Sequence, residues 1–391
     1  MNSSRVKDPG LSARIEEAEI AWLRQVTPIT EQYCREISQR DYRGKRLACW
    51  MHITPSVLPM SLALAESGAE IAIGACNVDS TDDATAFYLS ERGITVYGWR
   101  TMSRADYDQN MQLVRAFDAD YLCDMGGELS VAYRDREPPV SGGLEATTSG
   151  LNLLREHKIP FPVFDWNSTP LKDRLENRFH VGNEIWPVFS EVTWMSLFRR
   201  SVLVVGYGPV GKGIAERARD LGAIVYVMDL DAVRLIEAQH HGCVPVNMKE
   251  GLARCQIVVT ATGVDGVLGE EHLQQAQRGT ILFNAGHSNR EIDIDWLYRQ
   301  PHQRMKANVE RFDLDATYIF LLANGSLLNL AAGTGPAGAD LFDLYTAVML
   351  RGISWMFDGG ANGVPAGMQP YPTNLEQEIA RHSVKLQQEV S

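Results

Sequence analysis

From Arg46 onward the chain alternates short apolar runs with stretches of helical period. Leu47 to Trp50, Glu70 to Ala75, Thr95 to Trp99 and Tyr121 to Cys123 have the length and make-up of buried strands, while Val57 to Ala65, Asp82 to Arg92 and Arg104 to Phe117 read as the helices between them. Such alternation predicts parallel strands joined by crossover helices. A second series begins at Val202 and includes Ile224 to Met228, Ile257 to Thr260 and Thr280 to Asn284. Both halves are therefore predicted to be α/β. Between them, Phe164 to Trp186 is polar and irregular in its middle and leads into an aromatic-rich helix through Trp194 and Phe198, which places the domain junction there. Gly359 to Pro372, rich in glycine and proline, reads as an ordered surface loop or linker.

At 391 residues and 45% hydrophobic content the chain is long enough for two cores. A formal net charge of -12 leaves no basic stripe for a phosphate backbone, so nucleic acid and anionic membrane are excluded as expected partners and a small molecule is favoured. The segment Met1 to Gly10 is polar, and no apolar run approaches the length of a membrane span, so a soluble, cytoplasmic protein is expected. Cys34, Cys49, Cys76, Cys123, Cys243 and Cys255 are scattered without a CxxC pair, as reduced buried thiols are, and neither a disulfide nor a metal site is expected.

Ser201 to Asp231 carries a GxGxxG at Gly206, Gly208 and Gly211, directly after an apolar strand and directly before a helix opened by Pro209 and Val210. The first glycine suits a tight turn, the second close approach of backbone to a pyrophosphate, and the third close helix packing. Asp229 ends the next strand, where a carboxylate accepts from the adenosine ribose hydroxyls and repels a 2′-phosphate. NAD rather than NADP is the expected cofactor. The plainer alternative, a glycine-rich turn without a ligand, does not account for strand, helix and acid together.

The residues around this motif resemble those of the adenosylhomocysteinase (S-adenosylhomocysteine hydrolase) family. GYGPVGKG with MDLD matches, as do Met51 to Thr54, Cys76-Asn77 with Ser80-Thr81, Gly126-Gly127, Thr147-Thr148, Lys172 to Asn177, Asn284 to His287 and Asn329-Leu330, in family order from about Val6 to Ala380. The resemblance implies an α/β protein of two domains: a doubly wound substrate-binding domain formed by residues 1–185 with a returning segment 345–391, and a Rossmann NAD-binding domain at 186–344. It also implies a homodimer or homotetramer. Further cofactor contacts implied are Thr147, Thr148, Ser149, Asn177, Thr262, Gly263, Asn284, Gly286, His287 and Asn329.

Family chemistry is transient oxidation of a nucleoside 3′-hydroxyl by NAD, loss of the C4′ proton, elimination of the 5′ substituent, addition of water and reduction back. Lys172 matches the lysine beside the 3′-hydroxyl, and Glu176 stands where the family has an aspartate that holds the hydroxyl or orients that lysine; the plainer alternative, given less weight, is a surface i,i+4 ion pair. His52 matches the histidine near C4′ and the 5′ leaving group, and the resemblance implies that His287 sits against the nicotinamide side of the ribose. Thr54 is expected to contact the base.

Several substrate positions depart from the family. Met125 stands after Asp124 where a second aspartate is usual, and Ala146 stands before the threonines where a glutamate is usual, with Glu145 one position earlier. Ser56 replaces the acidic or amide residue facing the purine amino group, Val181 and Ser288 differ from the usual residues, and Pro336 or its neighbours replace a His-Pro gate. Glu376 to Ser391 follows the family helix without the later Lys and Tyr that, in relatives, cross to a partner's NAD, so faster cofactor exchange is expected. Three readings follow: a nucleoside 4′,5′-dehydratase in nucleoside natural-product biosynthesis; a true hydrolase whose carboxylates come from Asp124 and Glu145 after small loop shifts; or a catalytically silent NAD-binding regulatory homologue.

Overall fold

The computed structural model describes residues 3–10, 13–286, 289–332 and 339–390. The chain divides into two compact units, Met1–Lys172 with Gly338–Ser391, and Asp173–Ala337.

In the first unit, strands β1 (Arg46–Met51), β2 (Glu70–Ala75), β3 (Thr95–Tyr97), β4 (Tyr121–Asp124), β5 (Gly142–Glu145) and β6 (Pro162–Asp165) join a strand of the returning segment, Gly367–Pro370. All seven are parallel, in the order Gly367–Pro370, β6, β5, β4, β1, β2, β3. Continuous apolar strands such as Leu47 to Met51 are buried on both faces, as a parallel sheet between helix layers requires. The strand order reverses between β1 and β4, so the loops after these two strands flank the crevice at which doubly wound sheets take ligands. The returning segment is tied in by Asp343, whose carboxylate accepts from Ile29 N (2.9 Å) and Thr30 N (2.6 Å) at the start of helix Pro28–Ser38. This is a helix cap supplied from more than 300 residues away in sequence.

In the second unit, β7 (Ser201–Val205), β8 (Ile224–Met228), β9 (Val244–Pro245), β10 (Ile257–Thr260) and β11 (Thr280–Asn284) are followed by β12 (His302–Lys306), β13 (Val309–Asp313) and β14 (Tyr318–Leu322). The order is β12, β13, β14, β11, β10, β7, β8, β9, with only the β12–β13 and β13–β14 pairs antiparallel. Its switch point lies between β7 and β10. Both units are thus α/β, the second a Rossmann-type sheet extended by a hairpin at one edge.

Three expectations are corrected. The stretch predicted as irregular between Phe164 and Trp186 is largely helical, a wide-turn π-helix over Leu171–His180 running into helix Val181–Thr193. Its polar residues mimic a loop in composition. Ile185, Trp186, Val188 and Phe189 pack into the core of the second unit, so the contacts part at Lys172 rather than at residue 185. That helix ends at Thr193 instead of passing through Phe198: Trp194 takes a left-handed conformation, and both aromatics are exposed, with Lys306 Nζ 3.6 Å from the Trp194 ring centre. Within Gly359 to Pro372, predicted as loop, Gly367–Pro370 pairs with β6, because an open sheet edge satisfies backbone groups whatever the side chains. Among the described residues no helix is long and apolar enough to cross a membrane.

Candidate active site

At the switch point of the second unit, Gly206 has φ +94°, and a Cβ there would lie 2.8 Å from Ala261 O. A Cβ on Gly211 would stand 1.8 Å from Gly206 O, so the turn closes on its own helix only with glycine. Gly208 differs: its Cβ would meet nothing nearer than Arg234 Nη1 at 4.0 Å. It is also the residue that caps helix Pro209–Asp220, without a side-chain cap, which leaves the helix N–H groups of Val210 and its neighbours to an anion. This is the shape a pyrophosphate fills. Asp229 is held at the end of β8 by Tyr207 N (2.6 Å) and Asp231 N (2.8 Å), with Arg234 Nη1 at 3.5 Å, so part of its acceptor capacity serves the protein.

The ends of β10 and β11 are organised by a residue the sequence did not single out. Glu291, buried, accepts from Thr262 N (2.9 Å), Thr262 Oγ1 (2.7 Å) and Gly263 N (2.8 Å), and burial raises its carboxyl above the ordinary range. A Cβ on Gly286 would sit 1.7 Å from Glu291 Oε1, which is why glycine stands there. Asn284 Oδ1 accepts from Gly286 N (2.6 Å) and Thr260 Oγ1 (3.1 Å). Asn329 donates through Nδ2 to Glu184 Oε2 (2.8 Å), while its Oδ1 is buried without a partner among the described residues. An orphaned buried acceptor marks a place for a ligand donor, and the amide N–H of a nicotinamide carboxamide fits it. Glu184 was likewise unforeseen; burial pushes its carboxyl up to about 8. The glycine cradle, the acid at β8 and this orphan together fit NAD. Glu176 and Asn177 belong to this unit and Lys172 to the other; Glu176 is buried. Val181 is half-buried against the second unit's core. His287, Ser288 and Pro336 lie outside the described residues.

The first unit brings together the loops that follow β1, β4, β5 and β6 along the carboxyl edge of its sheet. His52 Nδ1 is 2.7 Å from Ser80 Oγ, and Thr54 Oγ1 is 2.8 Å from Ser56 Oγ. Thr147 caps helix Thr148–Arg155 through Gly150 N (2.9 Å) and lies 3.2 Å from Ser149 Oγ. Asn167, after β6, donates to Thr148 Oγ1 (3.1 Å). Lys172 stands in the first turn of the π-helix, whose start is fixed by Glu376 Oε1 accepting from Leu171 N (2.8 Å). Its Nζ lies 4.7 Å from the ring centre of Tyr345, and Tyr345 Oη is 3.5 Å from Met125 Sδ. Neither Glu376 nor Tyr345 was legible as a site residue, since each reaches the site only through the returning segment.

Asp124 and Glu145 face each other on neighbouring strands in register, and each has 0% exposure. Asp124 Oδ2 accepts from Ser130 N (2.7 Å). Glu145 accepts from Gly126 N (3.2 Å), Gly127 N (2.9 Å), Thr147 N (2.6 Å) and Thr147 Oγ1 (2.6 Å). Both carboxyls are buried, and their donors are amides and a hydroxyl of the segments that follow β4 and β5; Asp124 Oδ1 has no hydrogen-bond partner among the described residues, and Met125 and Ala146 beside them are also buried. Burial pushes Asp124 up to about 7, and burial with the Asp124 charge pushes Glu145 well above the carboxylate range.

A carboxyl raised in the folded state adds stability that is complete below its ordinary value and is lost as the pH rises through the folded value. The wild-type thermal midpoint should therefore fall between about pH 4 and pH 8, by on the order of a few kcal/mol in stability. Asp124→Asn should flatten that fall, because Glu145 then ionises without a neighbouring charge. Parallel midpoint profiles for the two proteins, measured by calorimetry, would refute the assignment.

A family model described as S-adenosyl-L-homocysteine hydrolase matches residues 13–147, and one described as S-adenosyl-L-homocysteine hydrolase, NAD binding domain, matches residues 189–335. The S-inosyl-L-homocysteine hydrolase of Methanopyrus kandleri is 30% identical over 388 residues, covering 96% of this chain and 91% of the relative. The adenosylhomocysteinase of Thermotoga maritima is 31% identical over 93% of each chain, and that of Archaeoglobus fulgidus is 33% identical over 82% of this chain and 81% of its own.

Proposed function

This chain belongs to the S-adenosyl-L-homocysteine hydrolase family of NAD-binding enzymes, and from that premise we propose that it acts on a nucleoside by transient 3′-oxidation, C4′ proton removal and elimination of a 5′-hydroxyl. The product is a 4′,5′-unsaturated nucleoside and water. The observation that carries this reading is the full burial of Asp124 and Glu145, which are engaged by backbone amides, beside Met125 and Ala146, so that neither carboxylate is exposed to activate water for addition.

When bound, NAD supplies a reversible hydride acceptor for the 3′-carbon. Lys172, placed by the Glu376 contact to the start of its helix, takes the 3′-hydroxyl proton and returns it at the end. His52, oriented by Ser80, removes the C4′ proton, a task suited to a side chain whose ordinary titration range lies near neutrality. Thr54 and Ser56 present paired hydroxyls, able to donate as well as accept, toward the base.

A second reading is hydrolysis of a homocysteine thioether of adenosine or inosine, favoured by the names of the relatives. The deciding experiment incubates NAD-loaded protein with adenosine, inosine and their S-homocysteine conjugates, with a thiol reagent and mass spectrometry of the nucleosides. A nucleoside lighter by one water is the expected product. Sustained homocysteine release with no unsaturated nucleoside would overturn the dehydratase reading in favour of hydrolysis, and no NADH absorbance with any probe would overturn both.

A further inference from the structure

We propose that the Tyr345 hydroxyl is a catalytic acid of this site, protonating the 5′ atom of the substrate as it leaves and so acting where Met125 stands in place of a carboxylate. The inference rests on the elimination chemistry proposed above. Its basis is a convergence of contacts within one unit. Tyr345 Oη is directed at Met125 Sδ at 3.5 Å, so a phenol reaches the residue at which a carboxylate is missing. Its ring lies 4.7 Å from Lys172 Nζ, the group assigned to the 3′-hydroxyl. One side chain thereby meets both the lysine assigned to the 3′-hydroxyl and the residue that stands in place of a carboxylate.

The phenol is also held rigidly. Trp166, after β6, packs on its ring with centroids 4.7 Å apart, and Phe342 adds an edge contact at 6.1 Å. Helix Asp343–Phe357, which carries it, is locked at its first residue by the Ile29 and Thr30 amides. A thioether is a weak acceptor, so exchanging it for a substrate oxygen is favourable for the O–H donor. The phenol O–H is a donor that a departing hydroxyl can draw on, and Lys172 Nζ stands at the face of its ring.

The step balances without a further reactant. His52 takes the C4′ proton, the C4′–H electron pair becomes the C4′=C5′ bond, and the C5′–O bond breaks. The oxygen takes the Tyr345 proton and leaves as water, after which the proton on His52 returns to Tyr345 directly or through solvent.

The test compares wild type with Tyr345→Phe, each NAD-loaded, on adenosine, on S-adenosylhomocysteine and on 5′-deoxy-5′-fluoroadenosine. Three quantities are read: NADH absorbance, exchange of the C4′ hydrogen with deuterated water, and release of the 5′ group. Tyr345→Phe should keep NADH formation and C4′ exchange within about threefold while release of a 5′-hydroxyl falls by about 10²-fold or more. Fluoride needs no proton to leave, so its release should be restored to near the wild-type rate. Equal loss of all three readouts, unchanged release, or no rescue by fluoride would each overturn the proposal. If wild type releases homocysteine but no unsaturated nucleoside, the dehydratase reading falls, and the role of Tyr345 is then read on homocysteine departure, which should fall likewise if Tyr345 is the acid.

Discussion

Lys172→Ala is expected to suppress NADH formation on mixing with substrate by about 10²- to 10⁴-fold, the range lost when a positioned general base is removed. The lysine sits where a helix begins, and that beginning is pinned by a carboxylate from the returning segment, so alanine removes the amine without disturbing the backbone around it. His52→Ala should behave differently. NADH should still form, because 3′-oxidation precedes C4′ proton loss, but C4′ exchange and product formation should stall. Stopped-flow absorbance with deuterium exchange separates the two. If both variants reduce NAD and complete turnover, the role assignment is wrong.

Gly211→Ala is expected to abolish measurable NAD binding and to destabilise the protein by about 1–3 kcal/mol, the usual penalty for forcing atoms into a filled space. Its Cβ would stand 1.8 Å from a backbone oxygen, which no side-chain rotation relieves, so the turn must open. Gly208→Ala provides the contrast. With 4.0 Å to its nearest neighbour the methyl disturbs nothing in the protein, so the thermal midpoint should hold while NAD affinity drops by about tenfold or more as the methyl intrudes on the pyrophosphate. Calorimetric titration and thermal unfolding of both variants check the pair. Tight NAD binding by Gly211→Ala would remove the basis for the cradle.

Local pattern was enough for the α/β class and the cofactor turn, because strand period, helix period and glycine spacing are properties of short segments. Spacing alone gives Gly206, Gly208 and Gly211 separate expected roles; in the structure a Cβ at Gly206 or Gly211 would meet backbone closely, whereas one at Gly208 would meet open space. The same holds for the loops carrying His52 and Met125, which follow apolar runs and so had to emerge at strand ends. What needed the tertiary structure involves partners far apart in sequence or choices of direction. Whether Asp124 and Glu145 face the crevice or the interior depends on strand register and on which amides their carboxylates meet, and period alone does not say. The polar residues around Lys172 read as loop because composition does not register a wide helical turn whose first amide is capped by Glu376. Gly367–Pro370 becomes a strand only because β6 offers an unsatisfied edge. Tyr345, Glu184 and Glu291 carry no motif: each matters through a contact made when distant segments pack, and a contact between distant residues is a property of the fold rather than of either segment.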